Sequence, residues 1–141
     1  LVGSEMCIRD SNIPVMGHLG VLPQSDKKFK FKGENKVEKE NILRDAKLLE
    51  QSGAFSMVLE CIETSLAKLV TDSIGIPTIG IGASKNCDGQ ILVFDDLIGL
   101  NPIKVRFVKK YTNIKRELSK AVSKYANDVK KRKFPSKKYS Y

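Results

Sequence analysis

AFSMVLE, residues 54–60, is an apolar run that ends on a carboxylate, and the fold turns on how it is read. It follows Gly53, a helix stop, and precedes Thr64 and Ser65, either of which can cap a new helix. A short apolar run bounded in this way is a buried strand, Ala54 to Leu59, that delivers Glu60 to its C-terminal end. Upstream, Ile42, Leu43, Ala46 and Leu49 fall on one helix face. Downstream, Leu66, Leu69, Val70 and Ile74 do the same, and Gly75 stops that helix. Two further apolar runs frame the helices: Ile13 to Met16, ending at Gly17-His18, and Ile76 to Ile81, leaving through Gly80-Ile81-Gly82. Strand and helix alternating at this spacing indicate parallel βα units.

The chain outside these units is read from the same rules. A polar, lysine-rich loop is expected from Gln24 to Lys39. Ile91 to Phe94 has a strand's composition, but a parallel crossover takes roughly a dozen residues, and 82–90 is too short to hold one. The expectation is therefore Asp88 as an N-cap, a helix over Gly89 to Ile98, a stop at Gly99 and a fourth strand over Val105 to Val108. A last helix runs from about Asn113 to Lys131, with Ile114, Leu118, Ala121, Val122, Tyr125 and Val129 as its apolar stripe. Residues 1–12 carry no periodicity and are expected to be a non-native or disordered leader, with the domain over 13–141. The fold class is α/β. Four βα units are half of an eight-stranded barrel, which takes about 250 residues, so 141 residues are expected to be an incomplete barrel.

Composition narrows the function classes. The sequence is 41% hydrophobic and 29% charged, ordinary for a globular protein, and no apolar run reaches the roughly 20 residues of a transmembrane helix. The odd cysteine count (Cys7, Cys61 and Cys87) has no metal-ligand spacing and suits a reducing compartment, the cytoplasm by default. The net charge of +9 lies in the tail: residues 103–141 hold 14 Lys and Arg against Glu117 and Asp128, whereas residues 1–102 hold 11 basic and 14 acidic residues. Such a tail can serve a nucleic-acid-binding module. Its clean apolar stripe and its lack of an interleaved aromatic motif favour a solvated helix face instead.

In a parallel barrel the chemistry sits at the C-terminal ends of the strands. Those positions are His18, Glu60, Gly82, and Lys110 or Tyr111, of which His18 and Glu60 are chemically capable. A carboxylate at Glu60 is partly withdrawn from water and so a stronger base. Position alone leaves catalysis evenly matched with a plain pairing to lysine or a helix cap near Thr64. His18, the sole histidine, is by position alone somewhat more often structural. Gly80-Ile81-Gly82 opens a dinucleotide fingerprint, but Lys85 stands where its third glycine belongs, which excludes it. Cys61 reads as a small buried residue rather than a nucleophile, and Asp95 and Asp96 as surface or capping groups.

IPVMGHLGVLPQ (13–24), MVLECI (57–62), IPTIGIGASKNCDGQILV (76–93), DLIGL (96–100) and the closing FPSKKYSY (134–141) resemble, in order and spacing, the ketopantoate hydroxymethyltransferase family. The resemblance spans Ile13 to Tyr141 and implies the second half of a (β/α)₈ barrel, assembled as a homo-oligomer, a decamer of two pentameric rings. It implies hydroxymethyl transfer from 5,10-methylenetetrahydrofolate to 3-methyl-2-oxobutanoate, giving 2-dehydropantoate on the way to pantothenate. It also implies Mg²⁺ bound to the keto acid, with metal ligands in the first half of the barrel and none in this chain. Glu60, in the VLE motif, is implied as the proton acceptor, and His18, in the GH motif, as a residue of the substrate pocket. Asp95 and Tyr139 stand where the family often has histidine, and the loop over 29–41 is short for it. A half barrel lacking the other ligands is expected to bind no Mg²⁺, to be inactive alone and to aggregate through its open strand edges. An inactive truncated relative is the remaining alternative.

Overall fold

The structure, a computed structural model, describes residues 13–22, 30–102 and 104–141. The expected leader and residues 24–29 of the expected loop lie outside it. The chain divides into two compact units, Leu1–Ile91 and Leu92–Tyr141.

The first unit is a parallel sheet with helices between its strands. Strand β1 (Met16–Gly20), helix α1 (Lys36–Gln51), strand β2 (Ser56–Glu60), helix α2 (Thr64–Ser73), strand β3 (Thr78–Ile81) and strand β4 (Gly89–Gln90) follow in order, and the sheet order is β1-β2-β3-β4. β1 begins at Met16, where the expected strand ends, because its partners on β2 run from Met16↔Ser56 to Gly20↔Glu60. Backbone pairing carries the strand through Gly17-His18, residues with little strand preference of their own.

Side chains alternate along a strand, and burial here follows that alternation. Met57, Leu59 and Thr78 are each 0% exposed and point to one face. Ala46 and Leu49 of α1 and Leu66, Ala67 and Val70 of α2 belong to the same core. Each fully buried Met or Leu contributes about 1.5–3 kcal/mol. The opposite face carries His18, Val58, Glu60, Ile79 and Ile81, all partly exposed. Leu69, expected on the buried side of α2, is exposed.

Helix starts come from local chemistry. The Asn35 carboxamide oxygen accepts from the Glu38 N–H at 2.8 Å, while the Glu38 carboxylate reaches back to the Gly33 N–H at 2.9 Å. This reciprocal cap starts α1 at Lys36, inside the stretch expected to be loop. α2 is capped by Glu63 rather than by Thr64 or Ser65.

The end of the sheet departs from expectation. Gly89–Gln90 is a strand, not the start of a helix, and pairs with β3 through Ile79↔Gly89 and Gly80↔Gln90. β4 begins opposite Ile79, two residues before β3 ends, so the chain must retreat only about 7 Å at roughly 3.3 Å per residue. Residues 82–88 can cover that without a crossover helix. The Asp88 carboxylate does not cap a helix: it accepts from the Thr78 N–H at 2.8 Å and the Thr78 hydroxyl at 3.0 Å, pinning β4 to β3.

The second unit contains a one-turn helix α3 (Phe94–Leu97), helix α4 (Ile114–Lys130) and a 3₁₀ turn at Lys137–Tyr139. No strand forms at Val105–Val108; Val108 N–H closes a turn on the Val105 carbonyl at 3.0 Å instead. α4 matches its expected span, with Asn113 accepting from the Arg116 N–H at 3.1 Å as its cap. Its stripe is not buried: Leu118, Val122, Tyr125 and Val129 are all exposed. Tyr125, Phe134 and Tyr139 form a chain of ring contacts at 5.6 and 6.0 Å.

Candidate active site

Glu60 is the last residue of β2, and His18 lies on the neighbouring strand two residues before Gly20, the register partner of Glu60. Both side chains belong to the partly exposed face, at its C-terminal end. The His18 Nε2 lies 3.1 Å from the Glu60 Oε2, with the side chains 32% and 14% exposed. An ionised carboxylate can only accept, so Nε2 carries the proton and donates. The other ring nitrogen, Nδ1, is buried and finds no hydrogen-bond partner among the described residues. In a neutral imidazole with Nε2 protonated, Nδ1 is a bare acceptor, and leaving such a group buried and unmet costs about 1–3 kcal/mol. The site therefore has a place for a hydrogen-bonding group at that atom.

Beside His18 is a pocket of about 320 Å³, walled by Leu19, Lys32, Glu38, Ile42 and Asp45 among others. It lies at the end of β1, against α1.

The structure brings together two of the rim candidates, His18 and Glu60. Gly82 directly follows β3 with φ +62, a conformation suited to glycine. Lys110 and Tyr111 do not sit at a strand end, because the fourth expected strand does not form; the Lys110 ammonium donates to the Asn101 carbonyl at 2.8 Å. The capping role weighed for Glu60 belongs to Glu63, whose carboxylate accepts from Ser65 N–H and Leu66 N–H, both at 3.0 Å. The Ser65 hydroxyl and N–H hold the Glu63 carboxyl below its ordinary range. Glu60 is left facing His18. Cys61 is 4% exposed, and burial, then the adjacent Glu60 charge, pushes its thiol up to about 11. A thiol so hard to ionise is a poor nucleophile. Asp95 is exposed and Asp96 partly so, both in the first turn of α3.

Mg²⁺ prefers an octahedral set of oxygens including one or two carboxylates. Among the described residues no three His, Cys, Asp or Glu side chains converge to hold a metal. Glu60 faces an imidazole and Asp88 is tied to Thr78, so the residues present do not fit such an ion.

A sequence model of the family described as ketopantoate hydroxymethyltransferase matches residues 5–137. This chain belongs to that family. It is 62% identical over 131 residues to the 3-methyl-2-oxobutanoate hydroxymethyltransferase of Pelagibacter ubique, a match covering 93% of this chain and 51% of that protein. The protein of the same name from Prosthecochloris aestuarii is 51% identical over 145 residues, covering 100% of this chain and 52% of the relative. That from Clostridium botulinum (strain Langeland) is 47% identical over 135 residues, covering 93% and 49%. The chain spans about half the length of these relatives. Within a family of (β/α)₈ barrels, four parallel strands in sequence order, with helices on one face, are a partial barrel. No helix among the described residues is long and apolar enough to cross a membrane.

Proposed function

We propose that this segment supplies the proton-abstracting side of a 3-methyl-2-oxobutanoate hydroxymethyltransferase, with Glu60 as base and His18 as the residue that orients it. The observation that carries the proposal is the 3.1 Å contact between the two side chains at the C-terminal ends of adjacent strands. Catalysis on a parallel barrel gathers at that rim.

The C3 proton of 3-methyl-2-oxobutanoate is adjacent to its keto group. A carboxylate oxygen of Glu60 takes this proton, and the electron pair left on C3 delocalises into the carbonyl as an enolate. Water cleaves both C–N bonds of the methylene bridge of 5,10-methylenetetrahydrofolate, freeing tetrahydrofolate and the one-carbon unit as an aldehyde. C3 adds to that carbonyl carbon, whose π pair becomes an alkoxide, and the proton held by Glu60 completes the hydroxyl of 2-dehydropantoate. His18 keeps one Glu60 oxygen occupied as an acceptor, which limits the rotamers open to the base. Its Nδ1 is open to a hydrogen-bonding partner from a ligand or from the rest of the barrel. The Mg²⁺ proposed for the whole enzyme would polarise the keto group; its ligands would come from the other half. The whole enzyme is proposed to be a cytoplasmic homo-oligomer, a decamer, and this segment alone inactive.

The test uses a full-length chain in which residues 13–141 replace the corresponding segment of the Pelagibacter ubique relative. Glu60→Gln should lower kcat about 10²- to 10⁴-fold, the scale of a lost general base. His18→Gln should lower kcat less than Glu60→Gln does. A Glu60→Gln chain that turns over at the parent rate refutes the assignment.

A further inference from the structure

The Glu60 side chain has one described anchor, but its backbone is held on every side. Its carbonyl accepts from the Val21 N–H at 3.0 Å, just past the end of β1. The next peptide donates from the Cys61 N–H to the Ile81 carbonyl at 2.9 Å, at the end of β3. The Cys61 carbonyl in turn accepts from the Lys32 N–H at 2.8 Å. Two unusual backbone conformations make this possible. Gly20 has φ +107, and a Cβ added there would lie 1.9 Å from the Glu60 carbonyl oxygen and 2.9 Å from its carbonyl carbon. Cys61 has φ +50, a left-handed conformation that costs a non-glycine residue about 1–2 kcal/mol.

We infer that Gly20 and Cys61 are positioning residues for Glu60, holding its backbone in a clamp that sets the carboxylate against His18. The inference rests on the reading of Glu60 as the base. Gly20 acts through absence: only a residue without Cβ lets the end of β1 close on the Glu60 peptide. His18 is two residues away on the same strand, so a shift of β1 against β2 changes the 3.1 Å contact directly. Cys61 acts through its φ, which turns the chain immediately after the base so that its N–H meets β3 and its carbonyl meets Lys32. Neither residue needs to touch substrate. The buried thiol of Cys61 is incidental to this role, and its backbone is what matters.

The same full-length chain tests the clamp by steady-state kinetics on folded protein. Gly20→Ala and Cys61→Val, the latter forcing a β-branched residue into the left-handed region, should each lower kcat about a hundredfold, the scale of a roughly 1 Å misplacement. KM for the keto acid should stay within about threefold, since the loss falls on the chemical step. Cys61→Gly, which accepts the φ freely, should keep kcat near the parent value. Val70→Ala, a cavity in the core under α2, should lower stability and leave kcat unchanged. A folded Gly20→Ala chain with parental kcat overturns the inference, and so does a Cys61→Gly chain as impaired as Cys61→Val. If Gly20→Ala does not fold, the two Cys61 variants decide the matter on the same criterion. Glu60→Gln separates the two claims. If it keeps turnover, the base assignment fails; if it abolishes turnover while both clamp variants retain it, only the clamp fails.

Discussion

Helices α1 and α4 look alike in sequence and end differently in the structure. Each carries an apolar stripe at helical spacing and an asparagine cap. In α1 the stripe meets a sheet: Ala46 is 0% and Leu49 8% exposed. In α4 the stripe is exposed among the described residues: Leu118 is 50% and Val122 65% exposed. Periodicity states which side of a helix is apolar. It does not state whether the partner for that side lies within the same stretch of chain. The chain spans about half the length of its relatives, and the two units differ in how far their apolar surface is satisfied internally.

This difference can be broken or sharpened by mutation. Met57→Ala, a fully buried change under α1 and α2, should cost about 2–5 kcal/mol in chemical denaturation, the range for large-to-alanine core changes. Val122→Ala on α4 should stay within about 0.5 kcal/mol in the 141-residue chain, as surface changes do. A cost at Val122 equal to that at Met57 would show that the stripe is covered within this segment, and the contrast would collapse.

A smaller effect is expected from acid. Asp88 is held below its ordinary value of 3.8 by the Thr78 N–H, then by the Thr78 hydroxyl. A depressed folded-state value means that Asp88 adds stability above about pH 3.8 and loses it as pH falls through the lower folded value. Asp88→Asn should therefore be less stable than the parent near neutral pH, and the gap should narrow below pH 3.8. A gap constant between pH 3 and pH 7 would mean that Thr78 does not hold the charged form. The helix caps are expected to contribute modestly. Asn35→Ala should cost roughly 1 kcal/mol of the cooperative unfolding of the first unit. Asn113→Ala should instead appear as fraying of α4 in hydrogen exchange, leaving the sheet's protection unchanged.

Much of the first unit was legible because its elements are specified locally. AFSMVLE, IPTIGI and the helix between them have apolar spacing and stops that leave little choice, and they carry Glu60 to a strand end. His18 and Glu60 could both be assigned to the rim. Their contact could not, since it joins residues 42 apart in sequence through the register Gly20↔Glu60. The start of α1 at Lys36 was missed, because the expected loop ran to Lys39; Asn35 and Glu38, spaced for a helix cap within a run of charged residues, were the signal. β4 was not visible. Two residues have no periodicity, and what holds them is the link between Asp88 and Thr78, a tertiary interaction. The Val105–Val108 run has a strand's composition but ends as a turn, because composition does not supply a neighbour to pair with.

The central claim is that Glu60 removes the C3 proton, and isotope exchange measures that step alone. The full-length chain carrying this segment would be incubated in D₂O with 3-methyl-2-oxobutanoate and no folate, and loss of the C3 proton signal followed by NMR. The account predicts enzyme-dependent exchange that falls at least about a hundredfold in Glu60→Gln. Exchange at the parent rate in that variant would contradict it.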